Sequence, residues 1–338
     1  MLFQLFCVSW VLSLALQAAE PKKSAQVFEF EGQAQGTSYH IRYSGAEQVD
    51  IKSKVDQQLA NFDKIFSNYR PDSDISRFNQ ETSGDWFPVD ADLVRLVELS
   101  NRISKQSAGA FDITVGALIK VWGFGPFKRE TKVLPSDATI AEAKKLVDYR
   151  RLLSRRKPPA LKKTLRGLNI DLSGVAQGYS VDKIAAFLDE LGLRNYLVEI
   201  GGEIKTRGQK QTGIDWELLV ESPSLEPGEI GTLVHARGLG LTTSGDYREY
   251  FEKDGKRYSH TIDPRSGRPI EHKLASVTVI AQTAAEADAW DTALMVLGPE
   301  ESRKIVQGKA LSAFLVLHDG SGFLSEEIGE FKKHRIKK

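Results

Sequence analysis

Cysteine is almost absent from this chain, whose 338 residues include a single one, Cys7. That cysteine lies inside the hydrophobic N-terminal stretch, so removal of the stretch would leave a protein without any thiol. A protein without thiols has no thiolate nucleophile, no thiolate metal ligand and no disulfide. The composition therefore excludes cysteine chemistry in the mature protein and suits an oxidising compartment.

Net charge and long hydrophobic runs are also scarce. The 46 basic and 45 acidic residues leave a formal net charge of +1, so no overall field attracts nucleic acid or an anionic membrane. We therefore expect no nucleic-acid partner, and a charged substrate must be held by local groups. Beyond residues 2–19, no run approaches the roughly 18 apolar residues that a membrane span needs, which excludes a multi-pass membrane protein.

The N-terminal stretch has the features of a secretory signal. Residues 2–16 are apolar, and the alanines between residues 15 and 19 supply small side chains for cleavage before Glu20. The predicted location is the periplasm, and the alternative is a membrane anchor formed by an uncleaved segment. We predict a signal peptide at 1–19, a linker at 20–30, one domain at 31–330 that is either single or built from two intimate subdomains, and a basic tail at 331–338.

Apolar spacing predicts helices and strands in irregular order. At residues 51–69, apolar side chains recur every three or four positions, the pattern of one buried helix face. Further helices are predicted from the N-cap Asp90 to a break at Gly109, from Ser136 or Asp137 to Val147, and at 181–191, 285–297 and 299–307. Strands are predicted as a pair within 26–43 and at 196–200, 216–220, 231–234, 274–281 and 311–317. The basic stretch at 150–163 is expected to be a solvated surface loop.

This mixture favours an α+β fold with mixed or antiparallel sheets and packed helices, because strands outnumber helices and do not alternate with them regularly. The familiar catalytic motifs are missing. No P-loop or G-x-G-x-x-G fingerprint occurs, no G-x-S-x-G elbow occurs, and no two histidines have metal-ligand spacing. A Walker ATPase, a Rossmann enzyme, an α/β-hydrolase and a zinc enzyme are therefore not supported.

Two oxygen-bearing side chains lie on one predicted helix face. Asp288 and Thr292 are four residues apart, so both project from the same side, whereas Asp291 is expected to point elsewhere. A carboxylate with a hydroxyl, leaving positions for water and phosphate oxygen, is a common way to hold Mg²⁺. A local hydrogen bond between the two side chains is the alternative that spacing alone leaves open.

His260 follows a predicted strand and precedes a tight turn at 263–267. A histidine in such a place can take up a proton near neutral pH. The alternative is a partly buried histidine with only a structural role.

Eight segments, taken in chain order, together resemble the signature blocks of the FAD:protein FMN transferase family, also called the ApbE family. The resemblance extends from about residue 32 to residue 298. The blocks are QGTSY at 35–39, YRPDSDISRFN at 69–79, GAFDIT through WGFG at 109–125, DLSGVAQGYSVD at 171–182, GGE at 201–203, TSGDY at 243–247, HTIDPRSG at 260–267 and ADAWDT at 287–292.

The resemblance implies a flavin transferase of α+β fold that depends on Mg²⁺, cleaves FAD, attaches FMN to a threonine or serine hydroxyl of a target protein and releases AMP. The implied target is a subunit of an extracytoplasmic electron-transfer complex. Carried over by position, His260 is the acid/base residue, and the Ala176 carbonyl, Asp288 and Thr292 hold the metal. The residues implied to contact FAD are Gln35, Tyr69, Ala110, Phe111, Asp112, Ser173 and Ile262.

Two positions depart from the family pattern. Gln35 stands where the family usually has Met, and Gln177 stands where it often has Lys. Substrate affinity or preference is therefore expected to differ, because an apolar contact and a cation are each replaced by an amide. Two other functions stay open: an FAD pyrophosphatase that yields free FMN and AMP, and an FAD-binding protein without turnover. A base beside two metal ligands speaks against simple binding.

Overall fold

The computed structural model describes residues 26–127, 133–211, 213–220, 231–246, 250–253, 256–309, 311–320 and 322–336. The predicted signal peptide, most of the predicted linker and the end of the predicted tail lie outside the described residues, as does Tyr247 of the TSGDY block. In the described part of the chain, no helix is long and apolar enough to span a bilayer.

The described residues form nineteen strands and seven helices. The strands are β1 (Val27–Ala34), β2 (Thr37–Ser44), β3 (Phe87–Pro88), β4 (Leu152–Arg156), β5 (Pro159–Lys163), β6 (Tyr196–Ile200), β7 (Glu203–Arg207), β8 (Gln209–Gln211), β9 (Ile214–Asp215), β10 (Leu218–Val220), β11 (Thr232–Val234), β12 (Gly240–Gly245), β13 (Tyr250–Lys253), β14 (Lys256–Ser259), β15 (Ile262–Asp263), β16 (Arg268–Pro269), β17 (Leu274–Ala281), β18 (Ser312–Asp319) and β19 (Gly322–Gly329). The helices are α1 (Ile51–Phe66), α2 (Asp74–Gln80), α3 (Ala91–Gln106), α4 (Gly116–Trp122), α5 (Asp137–Lys144), α6 (Ala176–Glu190) and α7 (Ala284–Gln307).

An eight-stranded sheet forms the centre of the fold, in the order β1-β2-β6-β7-β12-β17-β18-β19. Every neighbouring pair in it is antiparallel. Helices α6 and α7 pack against each other and against one face of this sheet. The predicted α+β class is confirmed, and the predicted strand pair near the N terminus is the hairpin β1–β2.

The central strands are covered on both faces. All eight residues of β17 are buried. Val277 and Val279 belong to the main core beneath the helices, whereas Ile280 packs on the opposite side with Leu218 and Phe331. A strand buried on both faces reads as a continuous apolar run, which is why its limits could be predicted exactly.

Helix limits follow from local sequence signals. Helix α1 buries one stripe of apolar side chains at three- and four-residue spacing, as expected, and Asp90 caps α3 by accepting a hydrogen bond from the Asp92 N–H. Ser136 caps α5 in the same way through the Thr139 N–H. The stripe of α1 consists of Ile51, Val55, Leu59, Phe62 and Phe66.

The basic stretch at 150–163 is not a loop, so that prediction was wrong. It forms the antiparallel hairpin β4–β5, and β5 also pairs with β3. Leu152 and Leu161 are buried against the core that includes α3. Short apolar pairs at 152–153 and 160–161, bounded by Lys and Arg, are the strand signal that the high charge density concealed.

Helix α7 is broken in the middle, as the two separate helix predictions required. Gly298 has φ 75° and ψ 176°, and Pro299 follows it, so the helical backbone is interrupted here and Pro299 has no N–H to donate to the Met295 carbonyl. Two side chains donate to the carbonyls before the break. The Ser302 hydroxyl donates to the Leu294 carbonyl at 3.1 Å, and His272 Nε2–H donates to the Met295 carbonyl at 2.8 Å.

We expect His272→Leu to destabilise the protein by about 1–3 kcal/mol, because it leaves the buried Met295 carbonyl without a donor. Burial lowers the pKa of His272, so the fold favours the neutral ring. The stabilisation is therefore complete above the ordinary histidine pKa and is lost as pH falls below it. Denaturant unfolding of both proteins between about pH 5 and 8 measures this difference, and equal stability of the two at neutral pH would contradict it. Ser302→Ala, which removes the other donor, is the companion variant.

Candidate active site

One cavity of about 210 Å³ gathers residues from segments far apart in the sequence. Its walls come from the loop and turn between α3 and α4, the loop before α6, the start of β7, the end of β12, the turn after β14, and α7. The lining residues are Ala110, Phe111, Asp112, Ile113, Val115, Ile119, Asp171, Ser173, Gly174, Glu203, Thr243, Ser244, His260, Thr261, Ile262, Pro264, Asp288, Asp291, Thr292 and Val296.

The cavity floor depends on the contact between α6 and α7. The Gly178 N–H, in the first turn of α6, donates to the Asp288 carboxylate at 2.9 Å. A side chain at position 178 has no room, since a Cβ there would lie 2.4 Å from the Ala284 carbonyl oxygen. Asp182 of α6 also accepts hydrogen bonds from the Ala284 and Ala285 N–H groups at the start of α7. The two helix starts are therefore held together at the position of Asp288.

Asp291 faces the same cavity, which corrects the expectation that it points elsewhere. Residues three apart on a helix are also neighbours, so Asp288, Asp291 and Thr292 share one face. The Thr292 hydroxyl lies 3.4 Å from Asp291 Oδ1. A search for i, i+3 as well as i, i+4 pairs would have found Asp291 from the sequence.

The two carboxylates are buried together. Asp288 and Asp291 expose 4% and 2% of their surface. Burial, together with the charge of Asp291, raises the pKa of the Asp288 carboxyl well above its usual value. Burial likewise raises the pKa of Asp291, to which the nearby Glu203 charge adds. Adjacent buried carboxylates of one sign are costly unless a proton or a cation neutralises them.

These residues fit a hard divalent cation. The lining contains no Lys or Arg, and within the described ranges no three His, Cys, Asp or Glu side chains form a metal-binding group. The donor set is instead one of mixed oxygens, from the carboxylates of Asp288 and Asp291 and the Thr292 hydroxyl, which suits Mg²⁺. The Ala176 carbonyl is not in the lining; it lies two residues before Gly178 and accepts a hydrogen bond from the Ser180 hydroxyl at 2.9 Å.

His260 lies in the cavity wall, just after β14 as expected. The turn after it is closed by the Gly267 N–H, which donates to the Asp263 carbonyl at 2.7 Å, and the Trp122 indole N–H holds the Gly267 carbonyl at 2.9 Å. Ile262, predicted to contact FAD, is buried in a small cluster with Trp122 and lines the same wall. The structure thus brings the predicted base and metal-ligating side chains into one cavity.

Four more predicted FAD contacts line this cavity: Ala110, Phe111, Asp112 and Ser173. The Phe111 N–H is held by the Ser107 hydroxyl at 3.1 Å. Asp112 is held by the Thr114 N–H and hydroxyl and by the Tyr149 N–H, and burial raises its pKa. The loop that carries these residues is therefore fixed by its own hydrogen bonds.

Gln35 and Tyr69 lie outside the cavity lining. Gln35, in the turn between β1 and β2, donates to the Ser180 hydroxyl at 2.7 Å, so it connects through Ser180 to the Ala176 carbonyl. Tyr69 is 71% exposed, and its neighbour Asn68 donates to the cavity residue Asp171 at 2.8 Å. A cavity of this volume is smaller than the usual site for a large ligand, about 300–1,000 Å³, so a dinucleotide would extend past its rim.

The sequence reasoning also missed Glu203 and Asp171 as cavity residues. Asp171 lies in the family block at 171–182 and Glu203 in the block at 201–203. The carboxylates within these blocks were therefore candidates that the sequence already offered. Gln177, the second departure from the family pattern, lies close to Glu203. Both side chains approach the same point beside Gly201. A Cβ at that residue would lie 2.9 Å from Gln177 Nε2 and 3.2 Å from Glu203 Oε2.

Known proteins of one family are similar to this chain over most of its length. The model of the ApbE family matches residues 35–315. The FAD:protein FMN transferase of Escherichia coli strain K12 is 38% identical over 327 residues, which cover 95% of this chain and 93% of that protein. The protein of the same name from Haemophilus influenzae is 35% identical and covers 95% of each chain.

Solved structures show the same fold. The apo form of Pseudomonas stutzeri flavinyl transferase ApbE superimposes with a TM-score of 0.85 at 38% identity, covering 93% of this chain and 98% of that one. The flavin transferase ApbE from Vibrio cholerae gives a TM-score of 0.84 at 33% identity, covering 92% and 99%.

We expect Gly178→Ala to destabilise the protein by about 1–3 kcal/mol, because the added methyl group must push α6 and α7 apart. The same displacement should weaken any ligand bound at Asp288. Thermal unfolding measures the first effect. Gly308→Ala is the matched control, since a Cβ there would come no closer than 4.0 Å to the nearest atom. Equal melting temperatures for the two variants would show that the contact is not tight.

Proposed function

Because the chain belongs to the ApbE family, we propose that it is a Mg²⁺-dependent FAD:protein FMN transferase, which moves the FMN part of FAD onto a threonine or serine hydroxyl of another protein and releases AMP. One structural observation supports this proposal independently of the family. The cavity combines the buried carboxylates of Asp288 and Asp291, the Thr292 hydroxyl and His260, and its lining contains no Lys or Arg.

The reaction exchanges a phosphoanhydride bond of FAD for a phosphoester bond to the acceptor. The acceptor oxygen attacks the phosphorus on the FMN side of the pyrophosphate, a new P–O bond forms, and the bond to the AMP oxygen breaks. The hydroxyl proton leaves to a base, and AMP departs with the electron pair of the broken bond. Alignment and charge neutralisation are the main requirements of such a transfer.

Mg²⁺ would be held by Asp288, Asp291 and Thr292, with the Ala176 carbonyl as a further candidate ligand, and when bound it would neutralise charge on the phosphate oxygens. The protein supplies the remaining functions. His260 is the base that takes the acceptor proton. Phe111 offers an apolar wall for the flavin ring, and Ser173 and Gly174 line the same cavity.

We also propose an extracytoplasmic location and an acceptor that is a subunit of an electron-transfer complex there. The support is the apolar N-terminal stretch and the absence of cysteine from the rest of the chain. Free thiols are readily oxidised in such a compartment, so a chain without them is suited to it.

We expect Mg²⁺ to stabilise the wild-type protein by about 2–3 kcal/mol at roughly 100 times its dissociation constant. Asp288→Asn should lose this stabilisation. Without metal it should be at least as stable as wild type, because raised carboxyl pKa values mean that the charged pair costs stability as pH rises above the ordinary carboxyl range. Thermal unfolding with and without Mg²⁺ at neutral pH measures both effects.

The control for the metal experiment is Asp112→Asn, which removes a carboxylate from the same cavity outside the proposed ligand set. It should keep the full response to Mg²⁺. An undiminished response in Asp288→Asn would remove Asp288 from the metal site.

We expect incubation with FAD, Mg²⁺ and an acceptor protein to add one FMN mass to the acceptor and to release AMP. His260→Ala should slow the transfer by about 10²–10⁴-fold while FAD affinity and melting temperature change little. Intact-mass spectrometry and single-turnover kinetics measure these quantities. His40→Ala, on the surface of β2, is the control and should transfer normally. Free FMN without labelled acceptor would indicate a pyrophosphatase, and unchanged FAD would indicate a binding protein.

A further inference from the structure

Basic residues are concentrated in one part of a chain that is otherwise nearly neutral. Between residues 150 and 166 there are eight Lys or Arg and no Asp or Glu. The hairpin β4–β5 and its flanks hold them together beside α3, all but Lys163 at least partly exposed. We call this set the basic face: Arg150, Arg151, Arg155, Arg156, Lys157, Lys162, Lys163 and Arg166.

Only part of this charge is neutralised. Asp148 pairs with Arg150 at 2.7 Å and, more loosely, with Arg151 at 3.7 Å, and Glu98 pairs with Arg156 at 2.6 Å. Within the described residues, no ion pair involves Lys157, Lys162 or Arg166, and Arg155 lies over the partly exposed ring of Trp86. The basic face therefore keeps a positive surface despite the near-zero charge of the whole protein.

A second cavity opens in the basic face. Its volume is about 350 Å³, which is enough room for a side chain of a bound protein. Three of its lining residues carry hydroxyl groups and three carry cations. The lining residues are Glu81, Thr82, Ser83, Gly84, Lys162, Lys163, Thr164 and Arg166.

Lys163 is the buried cation of this second cavity. It is only 6% exposed, and its ammonium donates to the Asn79 carbonyl at 3.1 Å. The ammonium also lies 5.0 Å from the centre of the Phe78 ring. An ammonium has three N–H donors, so the carbonyl and the ring leave donor capacity for a further acceptor. The nearby Glu81 carboxylate instead accepts the Thr82 and Ser83 N–H groups of its own loop. Burial lowers the pKa of Lys163 to about 8, so the group remains largely charged at neutral pH.

The basic face begins beside the active-site cavity. The Tyr149 N–H, directly before Arg150, donates to Asp112 Oδ2 at 3.0 Å, and Asp112 lines the active-site cavity. A protein bound along the basic face would therefore lie near the cavity that its hydroxyl group must reach.

We propose that the basic face docks an acidic segment of the protein that receives FMN, with one Asp or Glu side chain of that segment entering the second cavity beside Lys163. This inference rests on the proposed function, which requires a protein held next to the active-site cavity. A carboxylate matches both the charge and the unused donors of the second cavity. A flat anionic membrane would not enter a concave site of this size.

The test compares two variants with the same change in net charge. The first is the triple substitution Lys157→Glu, Lys162→Glu and Arg166→Glu in the basic face. The matched control is Lys54→Glu, Lys210→Glu and Lys332→Glu, three exposed lysines elsewhere on the described surface. The probes are a short fluorescent peptide rich in Asp and Glu around one Thr, the same peptide with Asn and Gln, and vesicles of phosphatidylglycerol.

Fluorescence anisotropy without FAD should show that the wild-type protein binds the acidic peptide and that the affinity falls with added salt. The basic-face variant should bind about tenfold more weakly, the effect expected from three exposed charge contacts. The control variant should stay within about twofold of wild type. If the triple Glu variant unfolds, the same three positions changed to Gln repeat the comparison.

Several results would overturn the inference. These are an equal loss in the control variant, equal binding of the amide peptide, no binding of the acidic peptide, or binding only to vesicles. Since neither FAD nor turnover enters this measurement, its failure and a failure of the transfer assay are separate results.

Discussion

The close approach of α6 and α7 at Gly178 is the constraint on which the active-site cavity depends. Because position 178 has no side chain, the first turn of α6 reaches the backbone of α7, and the Gly178 N–H donates to the Asp288 carboxylate. Asp182, one turn further along α6, holds the start of α7 in the same contact. The cavity carboxylates thus have fixed positions before any ligand arrives, which is what a metal site and an aligned phosphoryl transfer both require.

That fixed arrangement has a cost. Asp288 and Asp291 are buried side by side without a basic partner in the cavity lining, and desolvation and mutual repulsion disfavour their charged forms. An anionic substrate would add to the repulsion. The divalent cation that we propose would resolve both problems at once, since it would neutralise the carboxylates and the phosphate oxygens together. The stability that the fold gives up at this site would then be linked to the binding of that ion.

Charge is also separated at the scale of the whole molecule. Carboxylates collect inside the active-site cavity, and unneutralised cations collect on the adjoining hairpin, so a net charge of +1 conceals two regions of opposite sign. Asp112 and Tyr149 join the two regions through one hydrogen bond. The small substrate and the protein acceptor can therefore be held by different chemistry at neighbouring places.

The sequence by itself determined the features that depend on local spacing. The apolar stripe of α1, the Asp90 cap, the limits of β6 and β17, and the break at Gly298 all follow from periodicity, capping and backbone preference within a few residues. The order of its motif blocks also determined the family.

Only the tertiary structure decided which of these segments meet. It placed Asp291 and Glu203 in the cavity, left Gln35 and Tyr69 beyond its rim, and turned the basic stretch into a hairpin packed on the core. These outcomes depend on contacts between residues far apart in the chain, such as Gly178 with Asp288 and Tyr149 with Asp112. Local spacing carries no information about such contacts, because they are set by how the packed helices and sheets fit together.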